Sequence, residues 1–131
     1  SWLDPIPKEE LARVLPQMDV GLMVLRNHPS LYYSTSPNKF FDYIASGLPV
    51  LNNYPGWLAD MIAEHNCGRV VPPDDSCAFA DAVLCMRDHR AELVEMGIQA
   101  RRLAEAQFAR HELGARFVAT LEEAQRRFHR P

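Results

Sequence analysis

The sequence predicts an α/β fold built on a doubly wound, Rossmann-like parallel sheet. Two observations support this prediction. Short, continuously apolar runs alternate along the chain with longer segments whose apolar residues recur at helical spacing. Strands that alternate with helices pair in parallel, because each helix returns the chain to the same end of the sheet. The length of 131 residues suits one domain.

Residues 7–47 are predicted to form two helices and one strand. A proline followed by acidic residues predicts a helix that begins at Pro7. The run Val20–Leu25 is short and continuously apolar, as expected for a strand covered on both faces. A polar loop over residues 26–35 leads to a helix over about residues 37–46, which ends at Gly47 because glycine readily adopts the left-handed conformation of that position.

The next segment repeats the alternation. Leu48–Leu51 is predicted to form a second buried strand, and Trp57–Glu64 a helix. Arg69–Val71 is the third strand, and the prolines and aspartates after it break the chain. Ser76 is then expected to cap a helix over Cys77–Arg87.

The C-terminal part, about residues 91–128, is predicted to be helical, with helices over Ala91–Met96, about Ile98–Gln107 and about His111–Phe128. Three strands make a thin sheet, because sheets usually have five or six. We therefore expect another strand near Trp2-Leu3 and others before Ser1. Residues 1–131 would then form a domain truncated at its N-terminal side, whose exposed sheet edge favours self-association.

Composition excludes some functions. A net charge of −3 and a pI of about 5.9 argue against a nucleic-acid partner, because such domains carry a basic stripe. Arginines cluster late, at Arg101-Arg102 and Arg126-Arg127. We interpret them as solvated helix faces, and the alternative is a patch that contacts a membrane or an acidic partner.

The chain has three cysteines, Cys67, Cys77 and Cys85, with no CxxC pair and no zinc-ligand spacing. They are predicted to be reduced core residues of a cytoplasmic protein. Acids and histidines nowhere show the spacing of metal ligands, so no metal site is predicted.

The helix after Thr35 opens in a way that a purely structural helix does not need. A helix N-terminus carries unpaired N–H groups and partial positive charge, which together bind phosphate. Pro37 presets the first turn without removing a needed donor, and Ser36 can cap the helix or donate its hydroxyl. Asn38 adds an amide and Lys39 a full charge, while Phe40 pins the helix to the sheet. The alternative is a simple helix cap.

Asp42 shares a helix face with Asn38 and Lys39, because it follows them by four and three positions. Its carboxylate only accepts hydrogen bonds, and a ribose beside a bound diphosphate offers two neighbouring hydroxyl donors. We therefore predict that Asp42 binds a ribose. The alternative is a solvated acid paired with Lys39.

Four segments together resemble a known family. The stretch Tyr33–Val50, with Ser-Pro-Asn-Lys-Phe-Phe-Asp-Tyr-Ile-Ala-Ser-Gly-Leu-Pro-Val inside it, resembles the donor-sugar motif of retaining GT-B glycosyltransferases of family 4, in the Ser-Pro-x-Lys subgroup. Asn66–Asp75 is similar to the family's Gly-x-Val-Val-x-Pro-x-Asp passage, and Met96–Arg101 to its Met-Gly-x-x-Ala-Arg helix start. The fourth segment, Pro16–Leu22, resembles the family's Asp-Val-Gly-Leu strand before the motif.

The resemblance implies a donor substrate of the UDP- or GDP-sugar type and neither a cofactor nor an essential metal. It implies that Asp42 binds the ribose and that the backbone amides of residues 38–40 face the diphosphate and the transferred sugar. Many members of the family carry a pair of glutamates. Ser34 stands at the position of the first glutamate, which the Ser-Pro-x-Lys subgroup also lacks. Trp2-Leu3 falls where the family's base-contacting segment lies.

The same resemblance implies that essential parts lie outside this chain. The family has an N-terminal domain for the acceptor, and an Arg and a Lys that grip the diphosphate early in the C-terminal domain. This half would bind the donor without turning it over alone, so no catalytic residue is assigned here. Subgroup members act on cell-surface polysaccharide, which implies a saccharide or lipid-linked saccharide acceptor at the cytoplasmic face of the membrane.

Two alternatives remain open from the sequence. An epimerase-like enzyme of nucleotide sugars would share the architecture, but it needs further acids and histidines that are not found near Ser34–Asp42. A non-catalytic interaction module would instead dock a partner through the last helix, which carries Arg116, Arg126 and Arg127.

Overall fold

Three parallel strands form the centre of the fold in the computed structural model, which describes residues 4–128. They are β1 (Gly21–Met23), β2 (Val50–Asn52) and β3 (Gly68–Val70), in the spatial order β1-β2-β3. Leu22 of β1 pairs with Leu51 of β2, which pairs with Arg69 of β3. The predicted α/β class with a parallel sheet is confirmed.

Helices surround the sheet and connect its strands. In chain order they are α1 (Lys8–Val14), α2 (Pro29–Tyr32), α3 (Asn38–Ala45), α4 (Trp57–Glu64), α5 (Ser76–Asp88), α6 (Arg90–Gln107) and α7 (Arg110–Phe128). A short 3-10 turn, Leu15–Gln17, continues α1. Helices α3 and α4 each follow a strand and precede the next, so they are the crossovers of the parallel sheet.

The central strand carries a core on each face. Val50 and Leu51 are both fully buried, and successive side chains of a strand point to opposite faces. The cluster around Val50 takes its other buried members mainly from α3, α4 and α6: Phe40, Ile44, Leu58, Ile62, Ala100 and Leu103. The cluster around Leu51 consists of Val71, Ala82, Met86 and Leu93. Both faces of β2 are therefore covered.

The edge strand β1 departs from its prediction. Residues Val20–Leu25 were expected to form a strand buried on both faces, but the strand covers only Gly21–Met23. Leu22 and Val24, which share one face, are 44% and 49% exposed. The prediction is wrong on that face, because the helices of the described residues cover Met23 on the opposite face and leave Leu22 and Val24 open to solvent. Self-association through this edge stays a prediction, and the strand proposed near Trp2-Leu3 lies outside the described residues.

Three local predictions are also corrected. The loop over residues 26–35 contains a short helix, α2. The helices predicted on either side of Gly97 are one continuous helix, α6. The cap of α5 is Asp75 rather than Ser76, because the Asp75 Oδ1 atom accepts a 2.8 Å hydrogen bond from the Ala78 amide. This carboxylate satisfies one of the N–H groups that a helix start leaves without a partner.

The cysteines differ in environment, so their prediction as core residues is confirmed for Cys67 and wrong for Cys77. Cys67 is fully buried, Cys77 is exposed and Cys85 is partly buried. Burial raises the pKa of the Cys67 thiol to about 11, so at pH 8 only about one Cys67 thiol in a thousand is the reactive thiolate.

We expect iodoacetamide at pH 8 to label Cys77 first and Cys67 last, with the sites identified by mass spectrometry. In denaturant all three thiols should react at similar rates, because unfolding removes the burial of Cys67. Labelling of native Cys67 as fast as that of Cys77 would contradict the burial of this side chain.

Candidate functional site

At the carboxyl edge of the sheet, one side chain joins the segments that follow β1 and β2. Asn53, just after β2, accepts a 2.8 Å bond from the Leu25 amide and donates a 3.0 Å bond to the Leu25 carbonyl. The chain after β1 and the chain after β2 are therefore held together at the end of the sheet where parallel α/β folds bind ligands.

The start of α3 is fixed to the same edge. Trp57, the first residue of α4, donates from its Nε1 atom to the Thr35 carbonyl over 3.0 Å. Its ring lies 6.4 Å from that of Phe40, centroid to centroid. Helices α3 and α4 thus begin side by side, which holds the Ser34–Pro37 loop in place.

No side chain caps α3, so the first of the two roles predicted for Ser36 is wrong, and donation of its hydroxyl stays a prediction. The capping position belongs to Pro37, whose backbone is extended (φ −75°, ψ 126°) and which makes no side-chain cap bond. The Phe40 amide donates to the Pro37 carbonyl over 3.0 Å. The amides of Asn38 and Lys39, at the first two helical positions, have no carbonyl within the helix to bind. Ser36, Asn38 and Lys39 are exposed, so this helix start can receive an anion.

The opposite face of α3 is anchored in the core. Phe40 and Ile44 are fully buried, and the ring of Phe41 meets that of Phe108 at 5.0 Å. Tyr43 lies over Gly21, where an added Cβ atom would come within 2.4 Å of its ring. These contacts fix the rotation of α3 and leave Asp42 on a face away from the core.

Asp42 pairs with a residue that the sequence did not suggest. Its Oδ1 atom lies 3.0 Å from Nζ of Lys8, the first residue of α1. The predicted alternative, a pair with Lys39, is therefore wrong as to the partner. The Asp42 side chain is 27% exposed. Burial raises the pKa of neighbouring Tyr43, and the charge of Asp42 raises it further.

Asp42 faces a cleft of about 370 Å³ between α1, the end of α3 and α6. Its walls are Lys8, Leu11, Ala12, Leu15, Pro16, Ala45, Ser46, Gly47 and Arg101. The volume lies within the range of small-ligand sites, and apolar walls with a few charged groups are typical of them. The cleft therefore offers apolar surface beside a carboxylate that accepts hydrogen bonds.

Two predicted contact positions have different outcomes. Ser34 lies in the loop before α3, where its Oγ atom donates a 2.7 Å bond to the Ser30 carbonyl. Its hydroxyl proton is therefore engaged within the loop, and its oxygen can still accept a bond. Trp2-Leu3, the predicted nucleobase contact, lies outside the described residues.

A comparison with protein-family models decides the family. Residues 1–89 match the family described as "Glycosyl transferases group 1". This range includes the whole sheet, α3 and Asp42. The chain belongs to this glycosyltransferase family. The family assignment favours the predicted glycosyltransferase over the epimerase-like alternative.

A curated relative supports the same family. This glycosyltransferase chain is 27% identical over 110 residues to "Amylovoran biosynthesis glycosyltransferase AmsK" of Erwinia amylovora. The alignment covers 80% of the chain. It covers 26% of the relative, so the chain spans about a quarter of the length of that protein.

Helix α3 is held in position by its packing against α6. Gly97 of α6 approaches Gly47, just after α3, so closely that an added Cβ atom would lie 2.5 Å from the Gly47 carbonyl oxygen. Ala100 is fully buried, and Arg101 donates from Nη1 to the Ala45 carbonyl at the end of α3. The segment Met96–Arg101 therefore has a physical role, which is to pack against α3.

Sequence reasoning missed two charged residues that line the cleft beside Asp42. Lys8 was seen only as part of a helix start, and no local pattern linked it to Asp42. Arg101 was assigned to a solvated face, although its place in the Met-Gly-x-x-Ala-Arg segment was a usable signal. Within residues 4–128, three or more metal-ligating side chains nowhere gather into a metal site. No helix of that part of the chain is long and apolar enough to span a bilayer.

Proposed function

We propose that residues 1–131 form the donor-binding part of a retaining GT-B glycosyltransferase of family 4, in the Ser-Pro-x-Lys subgroup. The observation that supports this most is the geometry of α3. Its uncapped start lies at the carboxyl edge of the sheet, and Asp42, in the following turn, lines a cleft of nucleoside size. The substrate proposed is a nucleotide diphosphate sugar of the UDP or GDP type.

The phosphates are proposed to bind at the start of α3. The amides of Asn38 and Lys39 supply donors, and the Lys39 ammonium adds a full positive charge on an exposed side chain. The amide of Phe40 lies in the same turn but already donates to Pro37. Ser36 and Ser34 bring hydroxyl groups to the rim.

The ribose is proposed to bind Asp42. Its two vicinal hydroxyls donate to the carboxylate, whose two oxygens offer about four lone-pair sites beside the 3.0 Å ion pair with Lys8. The apolar walls of the cleft then provide surface for the remainder of the nucleoside.

The reaction proposed breaks the bond between the anomeric carbon of the sugar and a diphosphate oxygen, which keeps the electron pair. An acceptor hydroxyl forms the new bond at that carbon, and its proton passes to an oxygen of the departing diphosphate or to water. Donors aimed at the departing diphosphate stabilise this charge, and loss of one such donor costs about 3 kcal/mol in the transition state. Lys39 and the α3 amides contribute here, while the acceptor site and further diphosphate contacts are assigned to an N-terminal domain outside this chain.

A role in polysaccharide synthesis is the biological part of the proposal. The matched relative is named for amylovoran biosynthesis and is about four times as long as the matched region. By analogy, we propose a saccharide or lipid-linked saccharide acceptor at the cytoplasmic face of a membrane. The protein would meet that acceptor through an additional domain.

A second candidate function, an interaction module without catalysis, is favoured by α7. No residue of this helix is buried, and its apolar side chains Leu113, Phe117 and Leu121 are 42%, 65% and 54% exposed. They recur every four residues and so share one face. Arg126 and Arg127 pair instead with Glu123 of the same helix, at 3.1 and 2.8 Å.

Calorimetric titration of the full-length protein with UDP and then GDP tests the donor-binding proposal. One diphosphate should bind, and its monophosphate about tenfold more weakly, because the second phosphate is the group that reaches the α3 start. Lys39→Met should lower the affinity for the diphosphate and leave that for the nucleoside unchanged. Failure of the folded protein to bind either diphosphate would contradict the proposal and favour the interaction module.

A further inference from the structure

The ion pair between Lys8 of α1 and Asp42 of α3 is not explained by the stability of either helix. Both partners are partly solvated, with Lys8 75% and Asp42 27% exposed, and such pairs contribute little to folding. Lys8 also occupies the first turn of α1, where the other charged residues are Glu9 and Glu10. A cation is unfavourable there, because a helix N-terminus carries partial positive charge.

We propose that Lys8 is a positioning residue of the donor site, which holds the Asp42 carboxylate for the ribose hydroxyls. This inference rests on the proposed function. The ion pair places Nζ of Lys8 3.0 Å from Oδ1. A carboxylate offers about four lone-pair sites on its two oxygens, so one cation beside Oδ1 leaves acceptor sites for two hydroxyl donors. Lys8 therefore stays in place when the ribose binds.

Arg101, the other cation of the cleft, interacts with residues other than Asp42. Arg101 donates from Nη1 to the Ala45 carbonyl and pairs through Nε with Glu105 at 2.7 Å. Lys8 is thus the cation that orients Asp42. A bound nucleoside covers the pair and excludes water, which strengthens the attraction between the two charges. The contribution of Lys8 is accordingly larger in the complex than in the empty site.

The test combines Lys8→Met with the removal of the ribose hydroxyls. The full-length protein is titrated with the diphosphate that it binds and with the 2′,3′-dideoxy form of that diphosphate. Lys8→Met should weaken binding of the ribonucleotide three- to tenfold and leave the dideoxy nucleotide unaffected, because only the former uses Asp42. Lys8→Arg should restore most of the affinity.

Arg13→Met is the matched control, because it removes one exposed positive charge from the same helix outside the cleft. It should change neither affinity. An equal loss of both nucleotides in Lys8→Met would overturn the inference and make Lys8 a phosphate contact. Tighter binding would overturn it by showing that Lys8 blocks the site.

The two proposals fail in different ways. If the wild-type protein binds a diphosphate and Lys8→Met binds it equally well, only the role of Lys8 is refuted. If the folded wild-type protein binds neither UDP nor GDP, the donor site and the role of Lys8 are refuted together.

Discussion

Replacing Asp42 by alanine is expected to weaken nucleotide diphosphate binding about a hundredfold or more. In the proposed site, two ribose hydroxyls lose a charged acceptor, and a hydrogen bond to a charged group is worth about 1.5–3 kcal/mol. A loss of about 3 kcal/mol corresponds to slightly more than a hundredfold in Kd. Asp42→Asn, which keeps one acceptor oxygen without the charge, should lose about tenfold. Calorimetric titration of the full-length variants measures both effects.

The fold should tolerate the Asp42→Ala change. The variant loses one partly solvated ion pair and gains the residue with the best helix propensity, so the melting temperature should stay within a few degrees of the wild type. Asp60→Ala is the matched control, because Asp60 is an exposed acid in the first turn of the neighbouring helix α4. Unchanged affinity in Asp42→Ala would show that Asp42 serves only its pair with Lys8 and would refute the ribose contact.

The alternation of strands and helices could be predicted because it depends on local patterns. The bounds of α4 were predicted as Trp57–Glu64 and are confirmed. Gly56, at the capping position before this helix, has a φ of 114°, and few residues other than glycine adopt that conformation. Strand ends were less accurate, because β1 and β3 stop where pairing with the central strand stops.

Gly97 shows why a local pattern can mislead. A glycine inside a helical pattern lowers helix propensity by about 1 kcal/mol, and a helix boundary was predicted there. In the structure Gly97 lies in the middle of α6, where it permits the contact with Gly47. Tertiary packing outweighs propensity at this residue, and the sequence around it contains no sign of the partner.

The candidate site could also be predicted only in part. The start of α3 and Asp42 belong to one segment, so spacing along a helix could place them together. Lys8 lies far away in the sequence, on α1, and its contact with Asp42 depends on how α1 packs beside α3. A single sequence offers no periodicity that connects two such charges.

Gly97→Ala and Gly114→Ala are expected to change stability in opposite directions, although both replace a glycine inside a helix. A Cβ atom on Gly97 meets the Gly47 carbonyl oxygen at 2.5 Å, while one on Gly114 has nothing within 4 Å. Overpacking should lower the free energy of unfolding by about 2 to 3 kcal/mol in Gly97→Ala. Better helix propensity should raise it by about 1 kcal/mol in Gly114→Ala. Urea unfolding followed by circular dichroism measures both.

The Gly97 substitution should also weaken nucleotide binding in protein that remains folded. The Gly47 carbonyl lies just beyond the end of α3, and backbone atoms cannot rotate away from a new methyl group as a side chain can. The strain therefore has to move α6 away from α3, and with it the cleft wall that Gly47 and Arg101 form beside Asp42. Lower stability with unchanged affinity would show that nucleotide binding does not depend on the packing of α6 against α3. The position of α3 would then depend on the sheet alone.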